Sequence, residues 1–205
     1  TLEERGMVQH QMPMATYNLG YRALILGVAE QGQLSLINVA HTLLEQVGRE
    51  CNESVLVRIR DGLETVCVAW WDASHAVRIH NQLGDRRSIA VGASGKLLLA
   101  HAPLEVQDTI LDGELQRYTP NTIVNRSDLK NELERIGAEG ISVSLSERAR
   151  DIMALAAPIR DATGAVVASL AMTAPTSRVS AGSIPQYIAI VQDGANRFSK
   201  ALGYR

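Results

Sequence analysis

The chain has 205 residues, which at a prior of roughly 150 residues per domain amounts to about 1.4 domains, one medium domain plus an appendage. Hydrophobic residues make up 46% and charged residues 20%, an ordinary globular balance that excludes disordered, collagenous and coiled-coil classes. The formal net charge is -2, whereas a domain that grips nucleic acid by itself carries a Lys/Arg excess, because phosphate neutralisation supplies most of the affinity.

Aromatic residues are 4% of the chain, with a single Phe, so the core is built from Leu, Ile, Val, Ala and Met and offers little stacking surface to bases. Cys51 and Cys67 form no Cys-x-x-Cys pair and read as small buried hydrophobes in a reducing cytoplasm. The most apolar runs, residues 97–102 and 155–159, are far shorter than the ~20 residues a bilayer requires. No signal-like start is present either, so a soluble cytoplasmic protein without a membrane partner is expected.

In chain order, Thr1-Leu-Glu-Glu-Arg-Gly6 reads as the last turn of a helix closed by Gly6, and its start is missing. Residues 7–10 and 15–19 are short extended runs around Gln11-Met12-Pro13, which suits a β-hairpin, and a lone hairpin is marginal, so it should trail a domain whose beginning is absent. Residues 19–33 carry apolar positions at helical spacing and are a candidate linker helix ended at Gln31-Gly32-Gln33. Ser35 then caps a helix with a stripe of Leu36, Val39, Ala40, Leu43, Leu44 and Val47. Residues 54–59 and 64–70 are strands divided by the hairpin signal Asp61-Gly62, and residues 76–80 continue in strand-like alternation. Residues 84–95 read as loop, and helices are expected over 96–101, 103–111 and 127–136, the last capped by Ser127 and stopped at Gly140. Residues 141–145 alternate as a strand. Residues 154–160 and 166–173 flank Asp161-Ala-Thr-Gly164 as a hairpin buried on both faces. Apolar positions from Ile184 to Leu202 form a last helix closed by Gly203. Helices segregated around a largely antiparallel sheet define an α+β sensor-like domain.

Catalytic patterns are weak. Gly95-Lys96 lacks both the first Gly and the Ser/Thr of a phosphate loop, and Ser127-Asp-Leu-Lys130 matches an acyl-enzyme spacing with no second element. His10, His41, His75, His80 and His101 show no pair at helical spacing, so no metal and no cofactor are expected. His75 and His80 sit near Trp70, Trp71 and Arg78 in the most polar-aromatic cluster, where one of them is a candidate to face a ligand. The backbone amides of Gly92-Ala-Ser-Gly95, just ahead of a helix, suit a small carboxylate.

Four stretches resemble the IclR family of bacterial transcriptional regulators. Tyr17-Asn-Leu-Gly-Tyr-Arg22 is similar to its wing-to-linker junction. Leu83-Gly84 followed by Gly92-Ala-Ser-Gly-Lys-Leu-Leu-Leu-Ala100 is similar to its effector-domain loop and helix. Thr119-Pro-Asn-Thr-Ile123 and Ala157-Pro-Ile-Arg-Asp161 match two further segments, and the likeness runs over residues 6–202. The resemblance implies residues 1–18 as the wing of a winged helix-turn-helix, 19–33 as the linker helix, and 34–205 as a GAF-like or profilin-like effector-binding domain with a six-stranded antiparallel sheet flanked by helices. It implies a homodimer or homotetramer, a small organic or aromatic acid as effector, and operator DNA as a partner of the full-length protein but not of this chain alone.

By the same resemblance the pocket amides fall on Ala93 and Ser94 and the apolar wall on a strand around Ile79 and on Ile152. Ser144 stands where members sensing small keto acids have Asp, Ala154 where they have Cys, and Ala171 and Thr173 where they have two Ser. Such a pocket favours a less polar or bulkier acid than glyoxylate. Glu147 matches an acidic turn that orients the loop opposite the pocket. The rival readings are a GAF-like signalling module and a hydrolase with Ser94 as nucleophile and His75 or His80 as base. The effector reading makes the protein a regulator and not an enzyme, with the ligand shifting the population of two quaternary arrangements.

Overall fold

The computed structural model describes residues 1–11, 16–25 and 35–205 and divides into two compact units, Thr1–Asn38 and Val39–Arg205. In the first unit, β1 (Val8–Gln11) pairs antiparallel with β2 (Thr16–Leu19), with Val8 opposite Leu19. Gly6 has φ +65° and closes the preceding turn, and the Gly20 amide donates to the Met7 carbonyl at 2.8 Å. A β-carbon on Gly20 would fall 2.1 Å from the Gly6 carbonyl oxygen, so only glycine fits there. Residues 21–25 are helical and Leu19 belongs to β2, while the rest of the expected linker helix, residues 26–33, lies outside the described residues.

Helix α1 spans Ser35–Cys51, so Ser35, expected as its cap, is its first helical residue. From Val39 onward it belongs to the second unit, where Ala40, Leu44, Val47 and Cys51 are buried at helical spacing. The sheet follows with β3 (Ser54–Asp61), β4 (Glu64–Trp71), β5 (Arg86–Ser88), β6 (Ser142–Leu145), β7 (Ile152–Arg160) and β8 (Val166–Pro175). All six form one antiparallel sheet in the order β5-β4-β3-β8-β7-β6. The tight turns form where expected, with Gly62 at φ +61° between β3 and β4 and Gly164 at φ +87° between β7 and β8. Asp161 Oδ1 accepts from the Thr163 and Ala165 amides and the Thr163 hydroxyl, which fixes the second turn. Between Val57 and Arg58 the pairing with β4 shifts, so Val68 has no partner across the ladder.

One face of this sheet carries Leu56, Cys67, Ala156 and Ala171 and packs under helix α2 (Gly92–Ala100), with Ala93 and Leu97, and helix α4 (Arg126–Glu139), with Ile136. Helix α3 (Leu104–Asp112) joins α2 and α4 in a second cluster around Leu99, Leu111 and Leu129. The other face is covered by α5 (Ile184–Ala201), which buries Val191, Ala195 and Phe198. Gly194 lets α5 approach closely, because a β-carbon there would lie 2.7 Å from Val47 and 2.8 Å from Leu170. The outcome is an α+β fold, a curled antiparallel sheet flanked by helices.

Four local expectations are corrected. Residues 76–80 are irregular, and the third strand of that half is Arg86–Ser88, so Ile79 lies in a connecting segment. Two arginines make β5 unremarkable in hydropathy, yet it is held by pairing with residues 64–66 and by Arg86 contacts to Asp61 and Glu64. Helix α2 starts at Gly92, four residues before Lys96, because packing of the Gly95 backbone against Ile89 overrides low glycine propensity. Asn125 caps α4 in place of Ser127, accepting from the Ser127 and Asp128 amides, and Gly140 at φ +66° ends that helix.

Candidate functional site

A cavity of about 280 Å³ opens between the sheet and the start of α2. Ile79, Ala93, Ser94, Ser144, Ile152, Ala154, Ala171 and Thr173, the eight candidate positions, all line it. Strand register explains most of this convergence. Ser144 opposes Ala154, Ala154 opposes Thr173, and Leu56 opposes Ala171, so one face of β6, β7, β8 and β3 supplies the floor.

The N-terminus of α2 supplies the polar end. Val91 precedes it in extended conformation with no side-chain cap. The Gly92 amide donates to Glu147 Oε2 at 3.4 Å, while the Ala93 and Ser94 amides have no protein partner among the described residues. Unsatisfied amides and the helix dipole together favour an anion. Lys96, buried to 1%, donates to Glu147 at 2.5 Å, Glu132 at 3.0 Å and the Val143 carbonyl at 3.2 Å. Glu147 thus contacts the start of α2 at two points, the Gly92 amide and Lys96.

The Thr-Pro-x-Thr segment has a structural role here. The Thr119 hydroxyl donates to the Ser146 carbonyl at 2.6 Å, and the Thr122 hydroxyl to the Glu147 carbonyl at 2.6 Å. This fastens the turn that presents Glu147 and Arg148 to the cavity. The Leu83-Gly84 turn acts likewise on the other side. Gly84, at φ +77°, donates to the Cys67 carbonyl, which positions Asp85 beside β4.

Sequence reading missed three arginines, Arg58, Arg87 and Arg148, in the cavity wall. Alternation from Leu56 places residue 58 on the cavity face of β3, so Arg58 had a signal. Arg87 and Arg148 sit in segments whose convergence only the fold creates. Arg58, 2% exposed, donates to Asp85 Oδ2 at 2.6 Å, and Arg87 donates to the same oxygen at 2.6 Å. Burial pushes the Asp85 carboxyl up, but Arg87 and Arg58 more than offset this and hold it below the usual carboxylate range.

The hydrolase constellation is not assembled by hydrogen bonding. His80 lines the cavity, yet its Nδ1 lies 3.0 Å from Asp72 Oδ2, and His75 Nε2 lies 2.8 Å from the Asn52 carbonyl. Neither ring is hydrogen-bonded to Ser94 among the described residues. Burial pushes the Cys51 thiol up to about 11 and raises that of Cys67, as befits packing residues with little thiolate. Among the described residues no His, Cys, Asp and Glu side chains group as a metal site, and no helix is long and apolar enough to cross a membrane.

The family model for the bacterial transcriptional regulator IclR C-terminal region matches residues 29–200. The chain belongs to the IclR family. It is 28% identical over 205 residues to the HTH-type transcriptional repressor AllR of Klebsiella pneumoniae, covering 100% of this chain and 75% of the repressor. It is similar to the Thermotoga maritima IclR structure at 29% identity and TM-score 0.79, over 99% of this chain and 82% of the other. An IclR homologue from Microbacterium hydrocarbonoxydans, complexed with 4-hydroxybenzoate, shares the fold at TM-score 0.83 and 22% identity, over 98% of this chain and 81% of that one. The second unit is thus the effector-binding domain of an IclR-family transcriptional regulator.

Proposed function

We propose that this domain binds an organic acid larger than glyoxylate and passes its occupancy to a DNA-binding module through rearrangement of a homodimer or homotetramer. In this reading residues 1–18 belong to the wing of a winged helix-turn-helix, 19–33 to a linker helix and 34–205 to the effector domain of a cytoplasmic regulator. Operator DNA is then contacted by the full-length protein and not by this chain alone.

The observation that carries the proposal is a cavity with unsatisfied amides of Ala93 and Ser94 at one end and an apolar middle formed by Leu56, Ile152, Ala154 and Ala171. The amides take the carboxylate, and the methyl-lined floor takes the body of the acid. An aromatic acid fits this division of labour, and the fold neighbour that holds 4-hydroxybenzoate supports it. Coupling to DNA requires only that two quaternary arrangements bind the acid unequally, on a scale of about 1–3 kcal/mol.

Calorimetric titration of aromatic and aliphatic acids tests this. Acids of six or more heavy carbons should bind, and Ala154→Leu, which adds volume at a half-buried wall position, should weaken them without lowering the melting temperature. Tight binding confined to glyoxylate-sized acids would overturn the reading.

A further inference from the structure

Arg58, Arg87 and Arg148 all line the same cavity, and among the described residues the carboxylate that pairs with any of them is that of Asp85. Arg58 Nη2 and Arg87 Nε both donate to Asp85 Oδ2 at 2.6 Å. Arg58 Nη1 is used up on the Thr65 carbonyl and hydroxyl and the Asp85 carbonyl. Its Nε–H makes no side-chain or backbone hydrogen bond among the described residues, and the residue as a whole is 2% exposed. Arg148 has neither a hydrogen bond nor an ion pair among the described residues. The other acid in the wall, Glu147, is bound to Lys96.

Three guanidinium charges thus line one cavity, Arg58 buried, Arg87 half-buried and Arg148 exposed, and the imbalance shows in the groups themselves. Burial first, and then the charge of Arg87, push both Arg58 and Arg148 below their ordinary guanidinium values. A wall that keeps unpaired guanidinium donors turned toward a cavity is completed by an anion, and guanidinium matches a carboxylate in a bidentate way.

The position of this cluster differs from that of the α2 amides. Arg58, Thr65 and Arg87 come from β3, β4 and β5, Arg148 comes from the turn after β6, and Ser144, Ala154 and Thr173 come from β6, β7 and β8. Between the two halves lie the methyl groups and side chains of Ala171 and Leu56, which oppose each other in the register.

We infer that the effector is a diacid, one carboxylate held by the Ala93 and Ser94 amides and the second by Arg58, Arg87 and Arg148, with an apolar spacer over Leu56 and Ala171. The inference rests on the organic-acid reading above and sharpens it to a ligand class. Asp85 then acts as a positioning residue, holding Arg58 and Arg87 in fixed orientation so that little side-chain freedom is lost on binding.

Titration of the purified chain with matched pairs, benzoate against terephthalate and hexanoate against adipate, provides the test. A second charge-assisted contact gives the diacids an affinity advantage of about tenfold or more. Arg148→Gln, at an exposed and unpaired position, should abolish that advantage by lowering the diacid affinity more than the monoacid affinity, and should leave the melting temperature of the free protein within error. Arg87→Gln should lower the diacid affinity similarly. Equal affinities within each pair, or an advantage that survives Arg148→Gln, would overturn the diacid inference while leaving the organic-acid reading standing. Binding of neither member of any pair would overturn both.

Discussion

Lys96 Nζ lies 2.5 Å from Glu147 Oε1, and both residues are withdrawn from solvent, at 1% and 7% exposure. The pair joins α2 to the turn after β6, and Glu132 of α4 completes it at 3.0 Å. Removing one partner strands buried charge, which costs far more than the net worth of the intact pair. Lys96→Met should therefore destabilise the domain by about 3–5 kcal/mol. Glu147→Gln in that background should recover part of the loss, a coupling measurable as a double-mutant cycle in urea denaturation.

Thr122 offers a subtler handle on the same turn. Its hydroxyl donates to the Glu147 carbonyl and accepts from the Tyr118 and Thr119 amides at 3.0 and 2.9 Å. Thr122→Val keeps the shape and removes all three contacts, so a loss of about 1–3 kcal/mol is expected from the groups left unpaired. Hydrogen exchange should show the added opening concentrated at residues 145–150.

Two glycines of α2 respond to substitution for different reasons. Gly95→Ala would place a β-carbon 2.8 Å from the Ile89 carbonyl oxygen and 3.1 Å from that of Ser88. Both are backbone atoms, so the helix start must shift, and stability and acid binding should fall together, by about 1–3 kcal/mol for the former. Gly92→Ala meets no atom within 4 Å, but its φ of +78° costs an L-residue about 1–2 kcal/mol. Its penalty should appear in the melting temperature, with packing around Ile89 intact by near-ultraviolet dichroism.

Asp85 makes stability depend on pH in a defined direction. Its carboxyl titrates below the usual range in the folded protein despite burial, because Arg87 and Arg58 favour the anion. The unfolded chain, with an ordinary value of about 3.9, thus takes up its proton first as acid is added. The contribution of Asp85 is complete above that value and is lost as pH falls from it through the folded value. Asp85→Asn should be less stable than the native protein at pH 7, and the difference should shrink below about pH 4. A gap that widens on acidification would contradict the assigned ion pairs.

The legible parts of this fold were those with local causes. Asp61-Gly62 and the Asp161 to Gly164 turn announce their hairpins because left-handed backbone and side-chain-to-amide bonds are written into three or four neighbours. The apolar positions of α1 and α5 announce helices by period. Arg86–Ser88 did not read as a strand because nothing within three residues makes it one; pairing with β4 does. Residues 76–80 alternate without pairing, the converse case. The cavity floor was legible through family resemblance at Ser144, Ile152, Ala154, Ala171 and Thr173, since strand register carries them as a set, whereas Ile79, Ala93 and Ser94 reach the cavity from a connecting segment and from α2. The arginines were not, because Arg58, Arg87 and Arg148 come from three separate segments and meet only through tertiary structure.

The unmatched Val68 in β4 changes the parity of that strand halfway along. Before it, Thr65 points toward the cavity and receives Arg58; after it, Trp71 points the opposite way and its ring lies where a β-carbon on Gly48 of α1 would fall, 2.1 Å from that point. A strand of strict alternation would present residues 65 and 71 to the same side. One supernumerary residue lets β4 anchor a helix on one surface and furnish a ligand wall on the other. Point substitutions along β4 are therefore local matters, but deleting Val68 forces the strand to surrender one of its two allegiances.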